Sequence, residues 1–206
     1  MKTSKVVLGL SLAAVLGLSG AARAQDKKDE KKDAKPAGME MPKPGPEHKK
    51  LNYFVGNWKL AGEVKPGAMG PGGKMTGTSN CTWFDGHFAI VCKDSGNGPM
   101  GPGKGMGVIT YNAEDKKYEY MGIDSMGMSI KAEGTVENDV WSYLNEGKMN
   151  GKPYKGRYSI MNTKPDSYDF KFEMSDDGNA WNTVMEGKYT RAGGAAAAAK
   201  PAAKKS

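Results

Sequence analysis

Two cysteines, two histidines, one glycine run and 14 methionines are the residues of this 206-residue chain whose types and spacing invite chemistry. The run Gly98-Pro99-Met100-Gly101-Pro102-Gly103-Lys104-Gly105 copies the GxxxxGK spacing of a phosphate-binding loop. It lacks the parts that do the binding. Gly105 stands where a Ser or Thr must hold the metal ion, and Pro99 and Pro102 delete N–H groups that would cradle phosphate. The stretch reads as a Gly-rich loop followed by a strand. His48 and His87 are too few for a His-based metal cluster or a catalytic triad. His87, beside a turn, is also a poor axial ligand for haem. The acids of Glu114-Asp115, Asp176-Asp177 and Asp124-Ser125 fall in turn-like sequence, where carboxylates face water. No catalytic set assembles, so the chain is expected to be neither an enzyme nor the holder of a cofactor.

Methionine is the unusual feature. Met39-x-Met41 and Met126-x-Met128 are spaced like thioether pairs that hold copper(I), a soft ion that prefers sulfur. Met106, Met161, Met174 and Met185 instead fall in strand-like stretches, where methionine serves as adaptable core or cavity lining.

Cys81 and Cys92 flank Phe84-Asp85-Gly86-His87, a hairpin turn signal. A two-residue loop centred on Asp85-Gly86 or on Gly86-His87 puts both sulfurs on one sheet face. A three-residue loop puts them on opposite faces. Ten residues of β-like sequence lie between them, unlike the Cys-x-x-Cys spacing of a redox pair. In an oxidising compartment the pair is expected to form a structural disulfide.

The ends of the chain bear on the compartment. Lys2 and Lys5 precede an apolar run of about 13 residues and the site Ala22-Arg23-Ala24, the pattern of a secretory signal cut near Ala24. The run is shorter than the roughly 20 apolar residues a bilayer span needs, so no stable membrane insertion is expected. Residues 25–45 are charged, Pro-rich and free of aromatics, a tether that cannot bury enough surface to order itself. Residues 193–206 form an Ala/Lys tail of the same kind. The ordered domain is expected over residues 46–192, and the mature protein in the periplasm or secreted.

The formal charge of +7 resides in those ends. Between Pro46 and Ala192, 18 Lys plus Arg balance 18 Asp plus Glu. A nucleic-acid-binding domain carries its basic excess on the folded part, so no such partner is expected. Weak contact of the basic tail with an anionic envelope surface is compatible with the pattern.

Strand-like alternation recurs through the domain, broken by turn signals every eight to twelve residues or so. Its clearest stretch is Tyr168-Asp-Phe170-Lys-Phe172-Glu-Met174, stopped by Asp176-Asp177-Gly178 and resumed from Trp181 to Arg191. Other strands are expected to start near Trp58, Met75, His87, Lys104, Lys117, Met128, Val140 and Tyr154. Gly-rich loops at 67–73 and 96–107 separate several of them. Roughly eight to ten antiparallel strands predict an all-β closed barrel or a sandwich, either of which limits exposed edges.

At the domain start, Glu47 to Phe54 reads as a short helix whose Leu51 and Phe54 plug a barrel end. Gly56-Asn57-Trp58 then resembles the opening motif of lipocalin-like (calycin) barrels. That resemblance implies that Trp58 closes the barrel base and that Arg191, at the end of the last strand, packs across it. PGPEHKKLNYFVGNW, CTWFDGHFAIVC, YNAEDKKYEYMGIDSMG and FEMSDDGNAW occur in this order. Together they resemble a bacterial family known as domain of unknown function 1579, over nearly the whole domain. The resemblance implies an up-and-down lipocalin-like barrel and brings no activity with it. Alternation places Leu60, Val108, Met128, Ile130, Tyr158, Phe170, Phe172 and Met185 on apolar faces that would line one interior. The function expected is binding of a small, mostly apolar ligand without catalysis. The alternatives are an envelope structural or interaction protein with a filled barrel, and a methionine-rich copper(I) protein.

Overall fold

The computed structural model describes residues 41–193. The expected signal sequence, most of the tether and the Ala/Lys tail lie outside the described residues. A short helix α1 (Pro46–Lys50) runs into a 3-10 turn (Leu51–Phe54). Ten strands follow: β1 (Gly56–Val64), β2 (Gly73–Trp83), β3 (Ala89–Gly98), β4 (Gly101–Asn112), β5 (Lys117–Asp124), β6 (Ser129–Glu137), β7 (Val140–Met149), β8 (Lys152–Lys164), β9 (Ser167–Ser175) and β10 (Asn182–Arg191). Each pairs with its sequence neighbours in antiparallel register, and β10 returns to pair with β1, closing the barrel.

Turn chemistry fixes the register at several corners. Asn138-Asp139 and Asn150-Gly151 adopt positive φ at both central positions. Those are the two-residue turns whose twist matches that of the strands they join, β6 to β7 and β7 to β8. At the β2–β3 corner the hairpin is centred on Gly86-His87, and both residues have positive φ. His87 therefore belongs to the turn, and β3 begins two residues later than alternation predicts.

One end of the barrel is plugged. Leu51 and Phe54 are buried in a cluster with Trp58, Ile90, Tyr118, Trp141, Ile160 and Tyr168. Phe54 meets the Trp141 ring edge-on at 5.0 Å, and Tyr118 packs against Trp141 at 4.7 Å. Polar tips tie the plug to the wall. The Tyr53 hydroxyl donates to the carbonyls of Lys164 (2.7 Å) and Ser167 (2.9 Å). The Tyr118 hydroxyl donates to the Glu47 carboxylate at 2.6 Å.

The glycine stretch read as a loop is mostly strand. β3 continues to Gly98 and β4 starts at Gly101, so only Pro99 and Met100 turn between them. Over the first half of β4 the inward positions are Gly101, Gly103, Gly105 and Gly107, which leave no apolar side chain for alternation to register; Ile109 and Tyr111 continue the same face beyond them and pack on the core. Space over two glycines is filled from β5: the Tyr120 ring passes 2.6 Å from where a Gly107 Cβ would stand, and its hydroxyl crowds the same point at Gly122. This overturns the placement of Val108 in the interior. Val108 pairs with Val91 and Met121 on the outer face. The apolar side chains of β4 there point outward because glycine occupies the inner positions. Met106 shares that outer face and is exposed, as are Met121 and Ile123.

Cys81 and Cys92 are opposed in register and joined by a disulfide, their Cα atoms 4.0 Å apart. The bond faces the barrel interior. Closing so short a ring restricts the unfolded chain, and removing it is expected to cost about 2–3 kcal/mol. Urea unfolding of the Cys81→Ser, Cys92→Ser protein measures this, and an unchanged midpoint would mean the bond adds nothing to the fold.

Candidate functional site

The interior divides into a sealed half and an open half. At the sealed end the Arg191 guanidinium lies 4.2 Å above the Trp58 ring. It also donates to three carbonyls, those of Pro165 (2.9 Å), Val55 (2.9 Å) and Tyr53 (2.6 Å). Trp58 is 1% exposed, and its indole N–H donates to the Phe54 carbonyl at 2.8 Å. The two residues are direct partners across the β1–β10 pairing.

At the open end lies a cavity of about 280 Å³, lined by Leu60, Val64, Met185, the glycines of the β3–β4 hairpin and five further methionines. Met69, Met75, Met100, Met126 and Met128 come from three separate segments and converge there. The Asp124 carboxylate organises one of these segments by accepting from the backbone N–H groups of Met126 and Met128, both at 2.9 Å.

Of the side chains expected to line an interior, Leu60, Met128 and Met185 touch this cavity. Phe172 stands beside Met185 in register. Tyr158 and Phe170 stack deeper at 5.6 Å. Ile130 lies on the inward face near the rim and is 38% exposed. Met41 lies far out in solvent, 79% exposed, while Met39 is outside the described residues. Among the described residues no group of three or more His, Cys, Asp or Glu is placed to hold a metal ion.

Sequence reading missed the polar floor of the open half. Asp94 follows Cys92 by two positions on β3 and therefore shares its inward face, paired with Ser79 and Gly105. Burial pushes its carboxyl above the usual carboxylate range, and a hydrogen bond from Ser79 opposes the shift. Across the interior stand Tyr120, Tyr158, Tyr168 and Tyr189. Burial raises the pKa of all four, and the Asp94 charge adds to each shift. Among the described residues, Tyr143 alone presents a buried side-chain polar atom without a hydrogen-bond partner. The parity of Cys92 was the signal that would have found Asp94.

A carboxyl whose folded pKa lies above its unfolded value favours the fold most at low pH. That advantage is lost as pH rises through the folded pKa. Asp94→Asn is therefore expected to raise the urea midpoint at neutral pH, with the gain disappearing below the ordinary carboxylate range. A lowered midpoint at neutral pH would show that Asp94 holds the fold together.

Residues 43–191 match a family model described as Protein of unknown function (DUF1579). The chain belongs to that family. No curated protein matches this DUF1579 chain. The solved structures that share its architecture include the following two. One is an S-type phycobiliprotein lyase from Guillardia theta, 12% identical with a TM-score of 0.51, over 70% of this chain and 91% of that one. The other is Rv2717c from M. tuberculosis, 14% identical with a TM-score of 0.53, over 72% of this chain and 99% of that one. At such identities the likeness extends to the lipocalin-like barrel alone.

Proposed function

We propose that this protein works outside the cytoplasm, binding a small, mostly apolar molecule in the open half of its barrel without transforming it. The observation that carries the reading is the mostly apolar cavity of about 280 Å³ at the open end of the barrel. That volume is at the lower limit of ordinary ligand pockets, roughly 300 Å³, and suits a correspondingly small occupant. Thioether side chains around the rim adapt to varied shapes. Export is supported by the N-terminal sequence pattern and is compatible with an intramolecular disulfide. No helix of the described residues is long and apolar enough to cross a membrane.

Gly103 offers a direct test. A Cβ there would meet nothing nearer than the Ser125 hydroxyl at 3.9 Å, so Gly103→Phe places a ring in the cavity without a backbone clash. An uncharged fluorescent probe such as N-phenyl-1-naphthylamine is expected to bind the native protein and to bind the variant at least about tenfold more weakly. Native protein that leaves the probe unbound would reject the reading.

The convergence of six methionines favours one second reading, a copper(I) site at the mouth. Its test is competition with a colorimetric copper(I) chelator, and Met126→Leu with Met128→Leu should abolish any uptake.

A further inference from the structure

We infer that the occupant carries a positive charge, its ammonium end held by Asp94 among the rings of Tyr120, Tyr158 and Tyr189. This rests on the proposal that the barrel binds a small molecule, and it adds the chemical class of that molecule.

Three observations converge on it. The first is an imbalance of charge inside the barrel. Asp94 faces inward opposite Ser79 in register, and no ion pair among the described residues involves it. The basic side chain at the other end, Arg191, is committed to Trp58 and three carbonyls. The outward-facing Glu173 shows the contrast, since Arg157 (2.8 Å) and Lys171 (3.0 Å) both pair with it.

The second is the company Asp94 keeps. Tyr189 stacks on Tyr168 at 4.9 Å and meets Phe170 at 5.5 Å, and Tyr158 stacks on Phe170. These rings form a continuous aromatic wall. Aromatic faces carry negative electrostatic potential and attract ammonium groups, most strongly where water is scarce. A carboxylate opposite such a wall supplies the full charge that the rings lack.

The third is access. The next inward position on β3 beyond Asp94 is Gly96, paired with Gly77 and Gly103. Gly96 and Gly103 both line the cavity, so no side chain from these positions stands between it and the carboxylate. Leu60, another lining residue, is the register partner of Tyr189. An alkyl chain resting among the rim methionines would thus point its head at the Asp94 level.

The experiment compares three ligands of one chain length by calorimetry on the full chain: octyltrimethylammonium, 1-octanol and octanoate. The cation is expected to bind at least about tenfold tighter than octanol, with octanoate weakest. Asp94→Asn should erase the preference for the cation while leaving octanol affinity within about threefold. Glu133, an exposed acid on the outer face of β6, is the control, and Glu133→Gln should retain the preference. Equal binding of octanol and the cation would overturn the inference while leaving the barrel-binding proposal standing. So would a preference that survives Asp94→Asn or vanishes with Glu133→Gln. Failure of all three ligands to bind would overturn both.

Discussion

Trp58→Ala is expected to destabilise the barrel by about 3–5 kcal/mol, the range for a large aromatic removed from a core. The indole is almost wholly buried and packs edge-on against Tyr168 at 4.9 Å. Its N–H is the partner of the Phe54 carbonyl at the end of the 3-10 turn. The variant therefore leaves both a void at the barrel base and an unpaired carbonyl on the segment that plugs it. A domain of this size holds only about 5–15 kcal/mol in total, so the loss should be plain in urea unfolding followed by far-UV circular dichroism. Trp58→Phe restores most of the volume but not the N–H, and should fall between the two. A loss below about 1 kcal/mol for the alanine variant would mean that the plug collapses into the void.

Arg191→Met should cost about 3 kcal/mol. Hydrogen bonds from a charged donor are worth about 1.5–3 kcal/mol each, and Arg191 makes three, although bonds sharing one donor group do not add. Methionine keeps some of the packing over Trp58 and none of the donors. Arg191→Lys should recover little, because a single ammonium cannot reach three carbonyls on two segments as the planar fork does. The contact with Trp58 predicts coupling: the Trp58→Ala, Arg191→Met double variant should lose less than the two singles combined, by about 0.5–2 kcal/mol. Strict additivity would mean that the stacking geometry contributes nothing.

The all-β barrel, the plug helix and the identity of its packing residues were legible because they leave local marks. Alternation, Asx-Gly turns and a Gly-x-Trp opening are properties of neighbouring residues. The interior of the open half was legible only in part. Leu60, Met128 and Met185 were placed by alternation, but Val108 was assigned to the wrong face. In the first half of β4 the inner positions are glycines, and the space over Gly107 is occupied by a tyrosine from the next strand. A pattern read from one strand cannot see a side chain contributed by another. Asp94 was missed for a related reason: an acid following a lysine looks solvated until the disulfide fixes which way Cys92, and hence Asp94, must face. Gathering methionines from three segments into one rim depends on barrel closure, which no local pattern encodes.

Closure also sets where the molecule is weakest in time. Every strand pairing but one joins sequence neighbours, and the exception, β1 with β10, spans nearly the whole domain. Long-range pairings form late because the entropy of closing the loop is met before contacts return it. The Trp58–Arg191 contact sits on that last seam and acts as its clasp. A molecule whose clasp fails would gape there first, baring two long strand edges that can pair with another opened copy. Substitutions at the clasp should therefore appear first as faster unfolding and as strand-exchanged dimers at high concentration, before any loss of secondary structure at rest.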